Sequence, residues 1–333
     1  MAPMHGRIRT RVWRNGTLET EGFPFEQVSD YLEEPDTLVW ADLVNPDHET
    51  LCQLAEELSL DPHAVEDAMS HNERPKATRY ATHLFLTANS LRLDDEMKLQ
   101  VGRVSAFATR HAFVTVRLDG ETVDIDDVVH RWDENADLMK FGPGALMHGL
   151  LDEIVDRYFD VMDALDDKVE ELEDTLFDDS QSTTTHRLSE QTFVLRRALV
   201  SVRRAVLPLR DVINTVSRHV SGDEHHATAL APYYNDLYDH ILRVGDLTDA
   251  LRESVTSVFD TSMSMADTRM NTIMKKLTAW AAIIAVPTAV TGWFGQNVPY
   301  PGFSATSGFW TSVVVIVIGA LILYFSFKKR DWL

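Results

Sequence analysis

Spacings of three and four carry a line of oxygen-bearing and small residues through the last third of the chain: Asp260, Ser264, Asp267, Asn271, Met274, Leu277 or Thr278, Ala281, Ala285 and Thr288. At about 3.6 residues per turn these positions share one face of a helix. Such a polar, narrow and continuous face would line a conduit if several copies packed it around an axis, with Asp rings at one end. Met274 and Leu277 break the line with an apolar step, the composition of a constriction that gates by excluding water. The run ends in Gly295-Gln296-Asn297. Gly and Asn commonly end helices in the left-handed conformation, so this ending carries no chemistry by itself. The same face also suits an ordinary helix-packing seam.

Other chemistry has less support. The chain contains no Gly-rich phosphate loop, no nucleophile elbow and no His-Glu-x-x-His zinc signature, so it is read as a non-enzyme that needs no cofactor. His225 and His226 are adjacent, and His63, His71, His83 and His111 are scattered, without the converging spacing of a closed zinc site. Cys52 is the only cysteine, which excludes an intrachain disulfide and a cysteine metal cluster and fits a reducing compartment. A net charge of −21 leaves no broad basic face for nucleic acid.

The element that must position the polar line is a membrane helix. From Leu277 to Phe294 the chain has 18 residues without a formal charge, which at about 1.5 Å each span roughly 27 Å, enough to cross a hydrocarbon core. A second uncharged run from Phe309 to Phe327 follows a loop rich in Pro and Gly, so the chain crosses and returns as a hairpin. Lys275 and Lys276 precede the first span, and Lys328, Lys329 and Arg330 follow the second. The positive-inside rule therefore predicts a multi-pass protein of the inner (plasma) membrane with both termini cytoplasmic. The first 16 residues lack an apolar signal region, which leaves the hairpin as the membrane address. Two helices cannot enclose a pore, and a polar stripe is costly against lipid, so several copies are expected to pack their stripes around an axis.

Upstream, residues 1–140 alternate strand-like and helix-like stretches, the pattern of a cytosolic α/β regulatory domain. Arg7 to Arg14 and Thr17 to Thr20 flank Asn15-Gly16, which predicts a hairpin. Thr37 to Leu43, Tyr80 to Leu93, Val101 to Thr109 and Ala112 to Leu118 read as further strands, and Asp47 and Asp61-Pro62 as starts of two helices. Residues 141–222 form two long helices of a funnel. The first is strongly acidic, with 13 Asp or Glu between Asp152 and Asp179; its face is either merely solvated or a field that gathers cations. The second carries Arg187, Arg196, Arg197, Arg203, Arg204 and Arg210, which are expected to pair with the acidic one. Residues 223–276 read as a stalk helix, seamed by Leu230, Tyr234, Leu237, Ile241, Val244, Leu251, Val255 and Val258. Residues 277–333 are the transmembrane hairpin, which makes the chain an α+β membrane protein.

These motifs in collinear order resemble the CorA family of divalent-cation transporters. Gly295-Gln296-Asn297 sits where that family has Gly-Met-Asn, and Lys328 to Leu333 resembles its basic, Trp-Leu ending. Leu195 to Ile213 and Tyr233 to Asp246 resemble its two stalk signatures, and LVWADLVNP with HNERPKATRY its cytosolic domain. The resemblance implies a homopentameric funnel of self-associating chains in lipid. It implies Mg²⁺ as cargo, with Co²⁺ and Ni²⁺ also carried, and a regulatory divalent ion held between subunits by Asp94 and Asp236. Gln296 departs from the family's usual Met, which keeps open a ZntB-like Zn²⁺ transporter. A non-conducting, membrane-tethered scaffold or metal sensor is the reading from another class.

Overall fold

The computed structural model describes residues 7–70, 74–94, 98–118, 122–177, 184–220, 227–296, 299–303 and 305–333. The chain divides into two compact units, Met1–Ser180 with Ser189–Thr256, and Gln181–Leu188 with Ser257–Leu333.

The first unit is built on a seven-stranded sheet. Its strands are β1 (Arg7–Arg14), β2 (Thr17–Glu21), β3 (Thr37–Val44), β4 (Lys76–Arg79), β5 (Leu84–Leu93), β6 (Leu99–Ala108) and β7 (Ala112–Arg117), in the order β2-β1-β3-β7-β6-β5-β4. The pair β3 and β7 is parallel; the remaining neighbours are antiparallel. Asn15 and Gly16 turn the first hairpin with φ of 49° and 78°, the left-handed pair that a tight primed turn demands. The strand expected from Tyr80 to Leu93 begins only at Leu84, and β4 precedes it. Tyr80 N–H bonds to the His83 carbonyl at 2.8 Å, closing a turn that separates β4 from β5.

Short helices cover the sheet: α1 (Val28–Leu32), α2 (His48–Glu57), α3 (Pro62–Met69) and α4 (Ile125–Glu134). Asp47 accepts the Thr50 N–H at 2.8 Å and Asp61 accepts the His63 N–H at 2.9 Å, the caps their positions predict. Sequence patterning passed over α1 and α4. The second is short and half charged, with Ile125, Val128 and Trp132 as its buried stripe, and packing fixes it: Trp132 meets Trp40 edge to face at 4.9 Å and donates to the Leu146 carbonyl at 3.0 Å. Gly149 makes this approach possible, because a Cβ there would lie 2.5 Å from the Trp132 indole nitrogen.

Three long helices follow, α5 (Pro143–Phe177), α6 (Thr184–Val220) and α7 (Ala227–Phe294). Their first and last turns converge where Gly144 approaches Leu230 and Val220. Tyr158 of α5 donates to the Asn89 carbonyl of β5 at 2.8 Å, and Thr248 of α7 lies buried against Met162 of α5. Among the described residues no salt bridge joins the acidic α5 to the basic α6. Arg203 pairs with Asp249 of α7 at 3.0 Å, Arg210 with its neighbour Asp211 at 3.4 Å, and Arg196 donates to Thr256 of α7. The acids at the start of α5 instead pair with Arg131 of α4 and Arg157 of α5 itself.

In the second unit the C-terminal part of α7 is accompanied by α8 (Thr306–Lys329). Both carry windows apolar and long enough to cross a membrane, and only 6% of each window is buried inside the chain. So little burial sets them apart from core helices of a soluble fold, which hide such a face.

Candidate functional site

α8 packs along one side of α7. Ala279 is buried, and a Cβ on Gly319 of α8 would come within 3.0 Å of Val286 Cγ1. Ala282, Ile283 and Val290 share that seam at helical spacing and are half-buried. Ala281, Ala285 and Thr288 lie about a third of a turn away, and all three are exposed. The stripe extends back through Leu277, Met274, Asn271, Asp267, Ser264 and Asp260, every one of them exposed. The hairpin seam is therefore a different face, which removes packing against α8 as the explanation of the polar line. Thr288 turns its hydroxyl back to the Ile284 carbonyl at 3.0 Å, so its hydrogen is spent inside the helix and its oxygen lone pairs face outward.

The helix ends in a compact cap. Gly295 N–H bonds to the Thr291 carbonyl at 2.8 Å and Gln296 N–H to the Trp293 carbonyl at 3.3 Å. Tyr300 returns to donate to the Phe294 carbonyl at 2.9 Å, and its ring meets Phe294 and Phe303 edge to face. Gln296 is exposed. Asn297 lies outside the described residues, as do His71, His225 and His226.

A second constellation sits in the first unit. One ligand atom each from Asp152, Asp156 and His240 lie within 4.8 Å of one another. Asp152 and Asp156 are one turn apart on α5, and His240 stands one turn after Asp236 on α7, at 3.8 Å from it. Among the described residues the buried His240 Nδ1 has no hydrogen-bond partner. Arg131 binds Asp152 at 2.6 Å and Asp156 at 2.8 Å, so the carboxylates are held ready by a guanidinium that an arriving cation must displace or share. Two carboxylates and an imidazole are a borderline donor set, fit for Co²⁺, Ni²⁺ or Zn²⁺ and, with water, Mg²⁺. Sequence reading found Asp236 but missed this group. Its signal was two i, i+4 pairs, Asp152/Asp156 and Asp236/His240; only packing reveals that they face each other.

Asp94 has a local duty, accepting the Lys98 N–H at 2.8 Å and the Gln100 amide at 3.4 Å across the β5–β6 turn. Asp236 is largely exposed. Of the scattered histidines, His63 and His111 are exposed, whereas His83 is buried beside Tyr80 and Phe107.

A charged, sheet-based unit whose long helix runs on into an apolar hairpin bearing an exposed polar stripe defines an integral membrane protein. Comparison with known proteins identifies which kind. The model of the CorA-like Mg²⁺ transporter protein family matches residues 35–329, and the chain belongs to that family. It is 28% identical over 284 residues to the cobalt/magnesium transport protein CorA of Thermotoga maritima, covering 84% of this chain and 79% of that one. The zinc transport protein ZntB of Yersinia enterocolitica is 24% identical over 284 residues, with coverage of 82% and 81%. Among solved structures, the complete CorA magnesium transporter of Methanocaldococcus jannaschii superposes with a TM-score of 0.77 at 23% identity, over 97% of this chain and 98% of that chain.

Proposed function

We propose that the chain carries divalent metal cations across the plasma membrane through a pore lined by α7 of several copies, five by analogy with the family. The observation that carries this reading is the polar and small stripe from Asp260 to Thr288, exposed and turned away from the α8 seam. In a ring of copies the stripe supplies carboxylates at the cytoplasmic end, an apolar step at Met274 and Leu277, and small or hydroxyl positions at Ala281, Ala285 and Thr288. Gly295, Gln296 and Asn297 form the outer mouth, where amide oxygens bond to the water shell of the ion and spare the cost of stripping it. The membrane potential, about 2.3 kcal/mol per charge per 100 mV, drives entry, so the transport needs no nucleotide. Mg²⁺ is the favoured cargo, with Co²⁺ and Ni²⁺. The ZntB relative and Gln296 support Zn²⁺ as the second choice.

Uptake of Mg²⁺, Co²⁺, Ni²⁺ and Zn²⁺ into proteoliposomes tests the proposal directly. Uptake should follow the imposed potential and disappear with Asn297→Ala, while size exclusion shows the variant still assembled. Intact assembly with no flux of any of the four ions would favour the scaffold reading.

A further inference from the structure

The outward face of α6 has an order that its packing does not use. Phe193, Val200 and Leu207 recur every seven residues and are 67%, 37% and 40% exposed, so they stand in one stripe along the helix. Arg197 and Arg204 follow each of the first two by four residues and line one border of that stripe, both exposed. Arg196 and Arg203 line the other border, turned towards Thr256 and Asp249 of α7. A periodic apolar stripe edged by guanidinium groups has the composition of an interface core with a charged rim. Its complement occurs on the same chain. Asp160, Asp163, Asp167, Glu170 and Asp174 form a stripe at spacings of three and four on α5, all exposed. Among the described residues, Asp160 approaches Arg157 at a loose 3.9 Å, and the other four are in no salt bridge. A chain of net charge −21 that gathers cations on one helix and anions on another gains by bringing copies together cation to anion.

We propose that the Phe193-Val200-Leu207 face of α6 docks on the acidic stripe of α5 in a second copy of this chain. The contact is heterologous, head to tail, which is the type that closes into a ring. It rests on the self-association in the proposed function and adds which surfaces meet. The guanidinium groups of Arg197 and Arg204 then answer carboxylates that otherwise repel one another in water.

The test uses full-length chains in a Cys52→Ala background, co-expressed with two different tags. One carries Val200→Cys and the other Asp163→Cys or Asp167→Cys. A short bis-maleimide should yield a covalent dimer bearing both tags. With Arg197→Glu and Arg204→Glu on the first chain the yield should fall about fivefold, as expected for two surface ion pairs of roughly 0.5 kcal/mol each. Asp160→Arg with Glu170→Arg on the second chain should restore it. A cross-link insensitive to these charges overturns the proposal. So does its absence in a protein that still assembles and conducts, an outcome that leaves the pore reading standing. A chain that remains a single copy on size exclusion and takes up no ion overturns both.

Discussion

At the scale of residues, two groups in the sheet unit hold energies large enough to measure. Arg117 and Asp42 form a bidentate ion pair at 2.6 and 3.1 Å with both side chains buried, and Asp42 also accepts the Thr115 hydroxyl at 2.6 Å. Arg117 Nη1 also donates to the Val123 carbonyl at 3.0 Å. Asp42→Ala strands a buried guanidinium and should lower stability by about 3–5 kcal/mol, read as a shifted denaturation midpoint of the detergent-solubilised protein. His83 is the second case. Burial holds its imidazole below the ordinary 6.5, against the weaker opposing pull of Asp61. The unfolded chain therefore binds this proton at a higher pH than the folded one does. The contribution of neutral His83 is intact above about 6.5 and is lost as pH falls through and below that value. His83→Leu should flatten this acid limb in pH-jump unfolding, and an unchanged limb would assign it to other groups.

At the scale of elements, α7 divides its faces by duty. Ala279, Val286 and their neighbours meet α8, and the stripe through Met274 and Leu277 does not. If those two side chains close the pore by keeping water out, Met274→Ser with Leu277→Ser should leak ions under conditions that hold the native protein shut. Conductance measured in planar bilayers with high internal Mg²⁺ checks this. Unchanged closed-state conductance would move the gate to another level of α7.

At the scale of the whole molecule, regulation requires that cation binding in the soluble unit favour one arrangement of the copies over another. Two sets of carboxylates are available. Asp94 and Asp236 are the pair the family resemblance implies between subunits, and Asp152 and Asp156 with His240 are assembled within one chain. Divalent ions should protect the soluble unit from protease. Asp94→Asn with Asp236→Asn, and separately Asp152→Asn with Asp156→Asn, should each raise the ion concentration at half-protection by about tenfold, the effect of roughly 1.4 kcal/mol. Loss of protection from the second pair alone would place the sensor inside the subunit.

Much of this protein was legible in its local sequence. Charge-free runs define the hairpin because lipid solvates no charge, and residue spacing defines the polar stripe because helix geometry repeats every turn. Caps at Asp47 and Asp61 and the Asn15-Gly16 turn are equally local, since each is settled within four residues. Tertiary structure decided what depends on distant neighbours. α4 carries a local stripe of Ile125, Val128 and Trp132, but what that stripe packs against, Trp40 and Gly149, only the fold decides. Among the described residues Arg203 of α6 pairs with Asp249 of α7, a partner that the charge pattern of α5 and α6 does not name. Asp152, Asp156 and His240 converge only because α5 and α7 pack in one register, and a pairing between helices about 85 residues apart in sequence leaves no local trace.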